Sequence, residues 1–157
     1  MTDRIDAPFL PSRRLVLTGL GAGLMTSALP FGAFAEPADA DAAIREMFGD
    51  KPITEGRVTV KVPPIAENGN SVSVGVIVDS PMSADDHVTR IGIFSPRNPI
   101  AEIARFELGP RAGRAEIATR MRMAGTQRVR AVAEMSDGTL WQGAASTVVT
   151  LAACVIG

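Results

Sequence analysis

The sequence predicts an all-β protein, an immunoglobulin-like antiparallel β-sandwich of about seven strands behind one short helix. Three observations carry this. Val and Ile recur at alternate positions in run after run, turn-forming residues separate the runs at short intervals, and only one segment has a helical period. The chain has 157 residues, enough for one domain with a real core and too few for two comfortable ones. Aromatic residues make up 4% and tyrosine is absent, so the core must come from Val, Ile, Ala and Met. Branched Cβ atoms fit a pleated surface better than a helix, which favours strands again.

The elements follow in chain order. Residues 39–48 read as the helix: Asp39 or Asp41 can cap its free N–H groups, Ile44, Met47 and Phe48 share a face, and Gly49 stops it. Strands are then expected at 57–62, 72–78, 88–94, 101–108, 114–123, 127–135 and 139–151. Val58, Val60 and Val62 alternate in the first of these, and Val72, Val74, Val76 and Val78 in the second. Between them stand Pro63-Pro64, Asn68-Gly69-Asn70, Ser80-Pro81, Ser95-Pro96, Gly109-Pro110, Ala124-Gly125 and Asp137-Gly138. Asp-Gly supplies the positive φ angles of a tight hairpin. Arg128, Arg130 and Glu134 interleave with Val129, Ala131, Ala133 and Met135, the pattern of a strand wet on one face.

The N-terminal segment reads as an address. Ser12-Arg13-Arg14-Leu15-Val16-Leu17 opens a mildly apolar stretch that runs to Leu29, followed by Pro30 and Ala33-Phe34-Ala35. A charged start, a short apolar region and an A-x-A site form an export signal, and the paired arginines Arg13 and Arg14 make it the twin-arginine type. Val16 and Thr18 stand where Phe and Lys are common in that motif. The apolar stretch, about 15 residues, falls short of the roughly 20 needed to cross a bilayer. Residues 1–35 are therefore expected to be removed, leaving a periplasmic domain of residues 36–157 with no membrane attachment.

Charge excludes some partners. Sixteen basic and 17 acidic residues give a net charge of −1, and no dense Lys/Arg block exists to bind a phosphate backbone. Nucleic acid is not an expected partner. Catalytic clusters are missing too. His87 is the only histidine, in Asp85-Asp86-His87, where adjacent side chains at a turn point apart; a polar turn entering a strand explains it better than a metal site. Arg105, Arg111, Arg114, Arg120, Arg122, Arg128 and Arg130 fit a solvated sheet face, or, read more sharply, a surface for an anionic group. Met121, Met123 and Met135 fit core positions better than metal ligation.

Cys154 stands out by position. It is the only cysteine, so no internal disulfide can form, and an exported protein travels to an oxidising compartment. An unpaired cysteine there implies intermolecular pairing or a thiol kept for use. It lies three residues from the C-terminus, just after the last expected strand. The alternative is a small hydrophobe that finishes a strand. No Lys or Arg neighbours it in sequence to favour thiolate.

Several blocks carry a resemblance: Pro63-Pro64-Ile65-Ala66-Glu67-Asn68-Gly69-Asn70, Val78-Asp79-Ser80-Pro81-Met82, Asp86-His87-Val88, and Ala131-Val132-Ala133-Glu134-Met135-Ser136-Asp137-Gly138. In this order and spacing the chain resembles SoxY, the carrier subunit of bacterial thiosulfate oxidation, from its signal to its final cysteine. The resemblance implies an immunoglobulin-like sandwich paired with a second small sandwich protein, SoxZ, as a heterodimer. It also implies that Cys154 holds thiosulfate-derived sulfur as a covalent adduct. Three periplasmic enzymes would be visited: a c-type cytochrome that attaches the substrate, a manganese hydrolase that releases sulfate, and a molybdenum sulfane dehydrogenase that oxidises the remaining sulfur. The carrier itself is expected to hold no cofactor and to be no enzyme. The family's arm is Gly-Gly-Cys-Gly-Gly, whereas this chain has Ala152-Ala153-Cys154-Val155-Ile156-Gly157. Ala, Val and Ile restrict the backbone and prefer to pack. A non-carrier paralogue, acting as structural or regulatory partner of a SoxZ-like subunit, is the alternative.

Overall fold

The computed structural model describes residues 37–153. The expected export segment with Arg13 and Arg14 lies outside the described residues, as does the stretch from Cys154 onward. The helix α1 (Pro37–Phe48) starts two residues before the expected Asp39, with Pro37 at its head, where a missing N–H costs nothing. Asp39 sits inside the first turn, and Asp41 reaches across to Arg130 Nη1. The face foreseen at Ile44, Met47 and Phe48 is buried, and Ala40 joins it one turn earlier.

Nine strands follow among the described residues: β1 (Ile53–Glu55), β2 (Val58–Lys61), β3 (Ile65–Asn68), β4 (Val72–Val78), β5 (Val88–Phe94), β6 (Glu102–Glu107), β7 (Glu116–Met121), β8 (Gln127–Met135) and β9 (Leu140–Leu151). One sheet has the order β1-β9-β8-β5-β6, with β3 also on β9, and the other is β2-β4-β7. This is the expected all-β sandwich, and the seven expected strands are all present. The core between the sheets is built from alternating Val, Ile, Ala and Met, including Val74, Val76, Ile91, Ile93, Val129 and Met123. Burying each such side chain is worth roughly 1.5–3 kcal/mol relative to exposure. Met121, Met123 and Met135 are core residues, as read.

Two short strands, β1 and β3, were not foreseen. Both run parallel to β9, with Ile53 opposite Leu140 and Ile65 opposite Val148. The chain passes along the β9 edge, leaves it to form the four-residue β2 in the facing sheet, and returns. Three- and four-residue strands flanked by Gly56 and Pro63-Pro64 have no periodicity to read, and the parallel sense follows from the unbroken direction of travel. The departure is marked by Gly56 N–H donating to Gln142 O at 3.1 Å, and the return by Val148 N–H donating to Pro64 O at 2.9 Å. At the crossing, a Cβ on Gly143 would collide with the Val58 carbonyl oxygen.

The helix covers the outer face of the larger sheet. Ile44, Met47 and Phe48 pack with Phe94, Val132 and Leu140, and the Phe48 and Phe94 rings meet edge-on at 6.5 Å. The strand read as wet on one face is therefore dry at Val132, where α1 sits, and wet at Arg128. Arg90 donates to the Met47 carbonyl at 2.9 Å, satisfying an acceptor at the helix end.

The Asp137-Gly138 hairpin forms as expected, joining β8 to β9 with Glu134 opposite Leu140. The Thr139 N–H and hydroxyl both donate to Asp137 Oδ1, at 2.9 and 2.7 Å. These bonds favour the ionised carboxyl and hold Asp137 below the usual carboxylate range, the side-chain bond first. A depressed folded value means that this contribution to stability is present above the unfolded value and is lost as pH falls through the folded one.

Two outcomes follow. Gly143→Ala is expected to lower stability by about 1–3 kcal/mol in urea unfolding, because the Val58 backbone must shift. Gly109→Ala, where an added Cβ meets nothing, should leave the midpoint nearly unchanged. In an NMR titration, Thr139→Val should raise the Asp137 pKa towards its ordinary value; an unmoved pKa would show that the hydroxyl does not set it.

Candidate functional site: the base of the C-terminal arm

β9 is the longest strand, at 12 residues, and its end carries the chain towards Cys154. The ties continue past Leu151. Gly69 N–H donates to the Leu151 carbonyl at 2.8 Å, Met123 N–H to the Gly69 carbonyl at 2.8 Å, and Ala153 N–H to the Met123 carbonyl at 3.0 Å. The strand end is thus clasped between the β3–β4 turn and the β7–β8 turn, and Ala153 is buried. Gly69 is required for this closeness. A Cβ there would run into the Met123 carbonyl and come within 2.8 Å of the Ala153 nitrogen.

A buried polar network holds the β7–β8 turn in place. Asn98 Nδ2 donates to the Arg122 carbonyl at 2.7 Å, while Asn98 Oδ1 accepts from the Ala124 N–H at 3.0 Å and from Gln127 Nε2 at 3.2 Å. Gln127 Oε1 in turn accepts from the Ser95 hydroxyl at 2.6 Å. Ser95, Asn98 and Gln127 are all buried, and no buried side-chain polar atom among the described residues lacks a partner. Satisfied networks of this kind rigidify what they touch, since a broken member leaves a desolvated group unpaired. The Thr126 hydroxyl adds a last tie, accepting from the Val149 N–H at 3.0 Å.

Cys154 follows the anchored Ala153 directly in sequence. The other sequence candidates lie elsewhere or are spoken for. His87 Nδ1 is 3.1 Å from the Ser83 carbonyl, at the polar turn that was expected. No group of three His, Cys, Asp or Glu able to hold a metal occurs among the described residues. Arg105 pairs with Glu102 and Arg130 with Asp41. Arg120 and Arg122 lie by the clasp, as does Arg97, which the sequence reading did not single out. The clasp residues Gly69, Asn98 and Gln127 were missed as a unit. Asn68-Gly69-Asn70 was legible only as a turn, and nothing local shows that Asn98 faces Arg122 across the fold.

The comparisons with known proteins bear on this arrangement. The family model described as sulfur oxidation protein SoxY matches residues 44–154, from the helix to the cysteine itself. The chain belongs to the SoxY family. Among solved structures, the sulfur carrier protein SoxY from Chlorobium limicola f thiosulfatophilum is 36% identical, with a TM-score of 0.62; the match covers 73% of this chain and 98% of that one. Two superoxide reductases share the fold alone. The Ignicoccus hospitalis neelaredoxin is 16% identical, with a TM-score of 0.53, covering 74% of this chain and 94% of that one. A superoxide reductase described as putative, from Thermotoga maritima, is 18% identical, with a TM-score of 0.50, covering 64% and 87%. No curated protein sequence matches the chain. In this SoxY-family chain the clasp thus sits immediately before the residue at which the family match ends.

Replacing Asn98 with Ala unpairs the Ala124 N–H, the Arg122 carbonyl and the Gln127 amide, each costing about 1–3 kcal/mol when buried. Urea unfolding should show the loss, and hydrogen exchange should quicken at the Ala153 amide more than at Val129. Equal slowing or quickening at both amides would show that Asn98 does not hold the arm's base.

Proposed function

We propose that this protein is a periplasmic sulfur carrier, with Cys154 as the covalent attachment site for thiosulfate-derived sulfur. The observation that supports it best is the clasp: the fold grips the chain to Ala153, one residue before the sole cysteine, within the family match. Membership of the SoxY family supports a carrier rather than an enzyme. The chemistry is then performed on the cargo by other proteins.

The steps balance simply. The Cys154 thiolate and the outer sulfur of thiosulfate form a disulfide bond, giving a cysteine S-thiosulfonate and two electrons, which a c-type cytochrome accepts. Water then attacks the terminal sulfur on a manganese hydrolase, releasing sulfate and two protons and leaving a persulfide on Cys154. A molybdenum sulfane dehydrogenase oxidises that remaining sulfur. A SoxZ-like subunit completes the heterodimer. Residues 1–35 direct export through Arg13 and Arg14, and the mature domain is residues 36–157.

One observation favours the non-carrier alternative. Ile65, Val148 and Leu151 are exposed hydrophobics on adjacent strands by the clasp, with Ile65 opposite Val148. They offer Val155 and Ile156 an apolar surface on which to pack, which would tie up the arm.

Intact-mass analysis of protein from thiosulfate-oxidising cells should show a sulfur adduct on the full-length mature chain, absent in Cys154→Ser, and an N-terminus beginning after Ala35. An Arg13→Lys, Arg14→Lys double variant should accumulate as cytoplasmic precursor. Unmodified protein that co-purifies with a SoxZ-like subunit, from cells shown to be oxidising thiosulfate, would favour the non-carrier reading.

A further inference from the structure

We propose that a break in the edge pairing of β9, midway along the strand, is a docking cleft for an extended acidic segment of a partner protein. The segment pairs with the backbone at Ala144 and Ser146 and sets a carboxylate on Arg128. The proposal goes beyond the carrier reading and does not depend on Cys154.

Strand alternation defines the break. The N–H and carbonyl of successive β9 residues point in turn towards β8 and towards the opposite edge. Gln142 and Val148 point to that edge, since the Gln142 carbonyl accepts from the Gly56 N–H and the Val148 N–H donates to the Pro64 carbonyl. Ala144 and Ser146 share their direction. β1 ends opposite Gln142 and β3 begins opposite Val148, so neither strand covers the residues between. The flanking chain does not cover them either. The Gly56 carbonyl, next in line for the Ala144 N–H, is taken by the Val58 N–H. Pro64, next in line for the Ser146 carbonyl, has no N–H to give. The N–H and carbonyl of both Ala144 and Ser146 are thus without a backbone partner among the described residues. Unpaired edge groups of this kind are the template on which an added strand pairs.

The break opens on a cleft of about 450 Å³, whose walls include Glu55, Val58, Arg128 and Ala144. On β8, Arg130 stands opposite Ala144 and Arg128 opposite Ser146. Their charges are balanced differently. Arg130 is held by Asp41 and by Gln142 Oε1. Arg128 is exposed and has no carboxylate partner among the described residues. Its planar fork suits a carboxylate arriving on an extended chain. Glu55, exposed on β1 opposite Gln142, is the anion of the cleft. It stands level with a point roughly 13 Å along β9 from Ser146. Backbone pairing therefore supplies the affinity, and the two free charges set the acidic residue of the segment at the Ser146 end.

Hydrogen exchange tests the break itself: in the free chain it should be fast at the Ala144 and Ser146 amides and slow at Gly143 and Ala145, which face β8. The probe for the cleft is the acetylated, amidated pentapeptide Thr-Glu-Val-Glu-Thr, added to the purified full chain. It should slow exchange at Ala144 and Ser146 and shift their NMR amide signals more than those of Gly143 and Ala145. Arg128→Gln is expected to weaken binding about twofold to fivefold, and Glu55→Gln to tighten it. Ala144→Pro removes an N–H that no strand uses and should abolish most of the binding with the sheet intact. Should that variant fail to fold, Arg128→Gln, a surface change, still decides the matter. No shift at either amide at the limit of peptide solubility overturns the proposal, as does equal binding of a peptide with glutamine at both acidic positions. A chain that dimerises in solution and becomes monomeric on Ala144→Pro overturns it too, by placing a second copy at this edge.

Discussion

The end of β9 is held from two sides at once, and this constraint organises the rest of the molecule. Gly69 on one turn takes the Leu151 carbonyl, Met123 on another takes the Ala153 N–H, and the two turns bond to each other. Backbone hydrogen bonds are strong and obligatory when buried, so each tie fixes the next. The clasp needs a side chain missing at Gly69, and it needs the β7–β8 turn to be rigid. The Ser95, Gln127 and Asn98 network supplies that rigidity, although these residues lie on the β5–β6 connection and β8. The hydrophobic core, to which Met123 and Val149 belong, is therefore not alone in fixing the end of β9. Val74, Val76 and Ile91 hold the sheets together; a handful of polar groups decides where the strand end goes.

Much of this fold is legible in sequence. The alternation at Val72, Val74, Val76 and Val78, and the Asp137-Gly138 turn, encode strand and hairpin within a few residues of themselves, and both appear where expected. The helix is likewise local, its apolar face given by the spacing of Ile44, Met47 and Phe48. β1 and β3 are illegible for the opposite reason. Three or four residues cannot display a period, and what makes them strands is β9 lying beside them. Gly143 shows the same limit. Its role depends on Val58, far away in sequence, passing over it.

The site divides in the same way. Cys154 is conspicuous because it is the only cysteine in the sequence and lies three residues from its end, and the resemblance to SoxY implies a role for it. The clasp and the arginines by it were hidden. The sequence places no cation beside Cys154, yet Arg97 donates to the Thr126 carbonyl at the β7–β8 turn and Arg120, on β7, to the Ser71 hydroxyl. The arm's composition gives this arrangement its interest. Ala152, Ala153, Val155 and Ile156 replace residues that would leave the backbone freer. A more constrained arm relies more on where its base is pointed.

A carrier needs its Cys154 thiol open to other proteins just past the anchored Ala153. The most direct measurement compares the reaction rate of Cys154 with a neutral thiol reagent in the folded protein and in a synthetic peptide of residues 148–157. Rates within about tenfold of each other are the expected result, since burial of a reactive group typically slows it far more. A thiol that reacts only when the domain unfolds would contradict the carrier reading, and the family fold would then serve some other purpose.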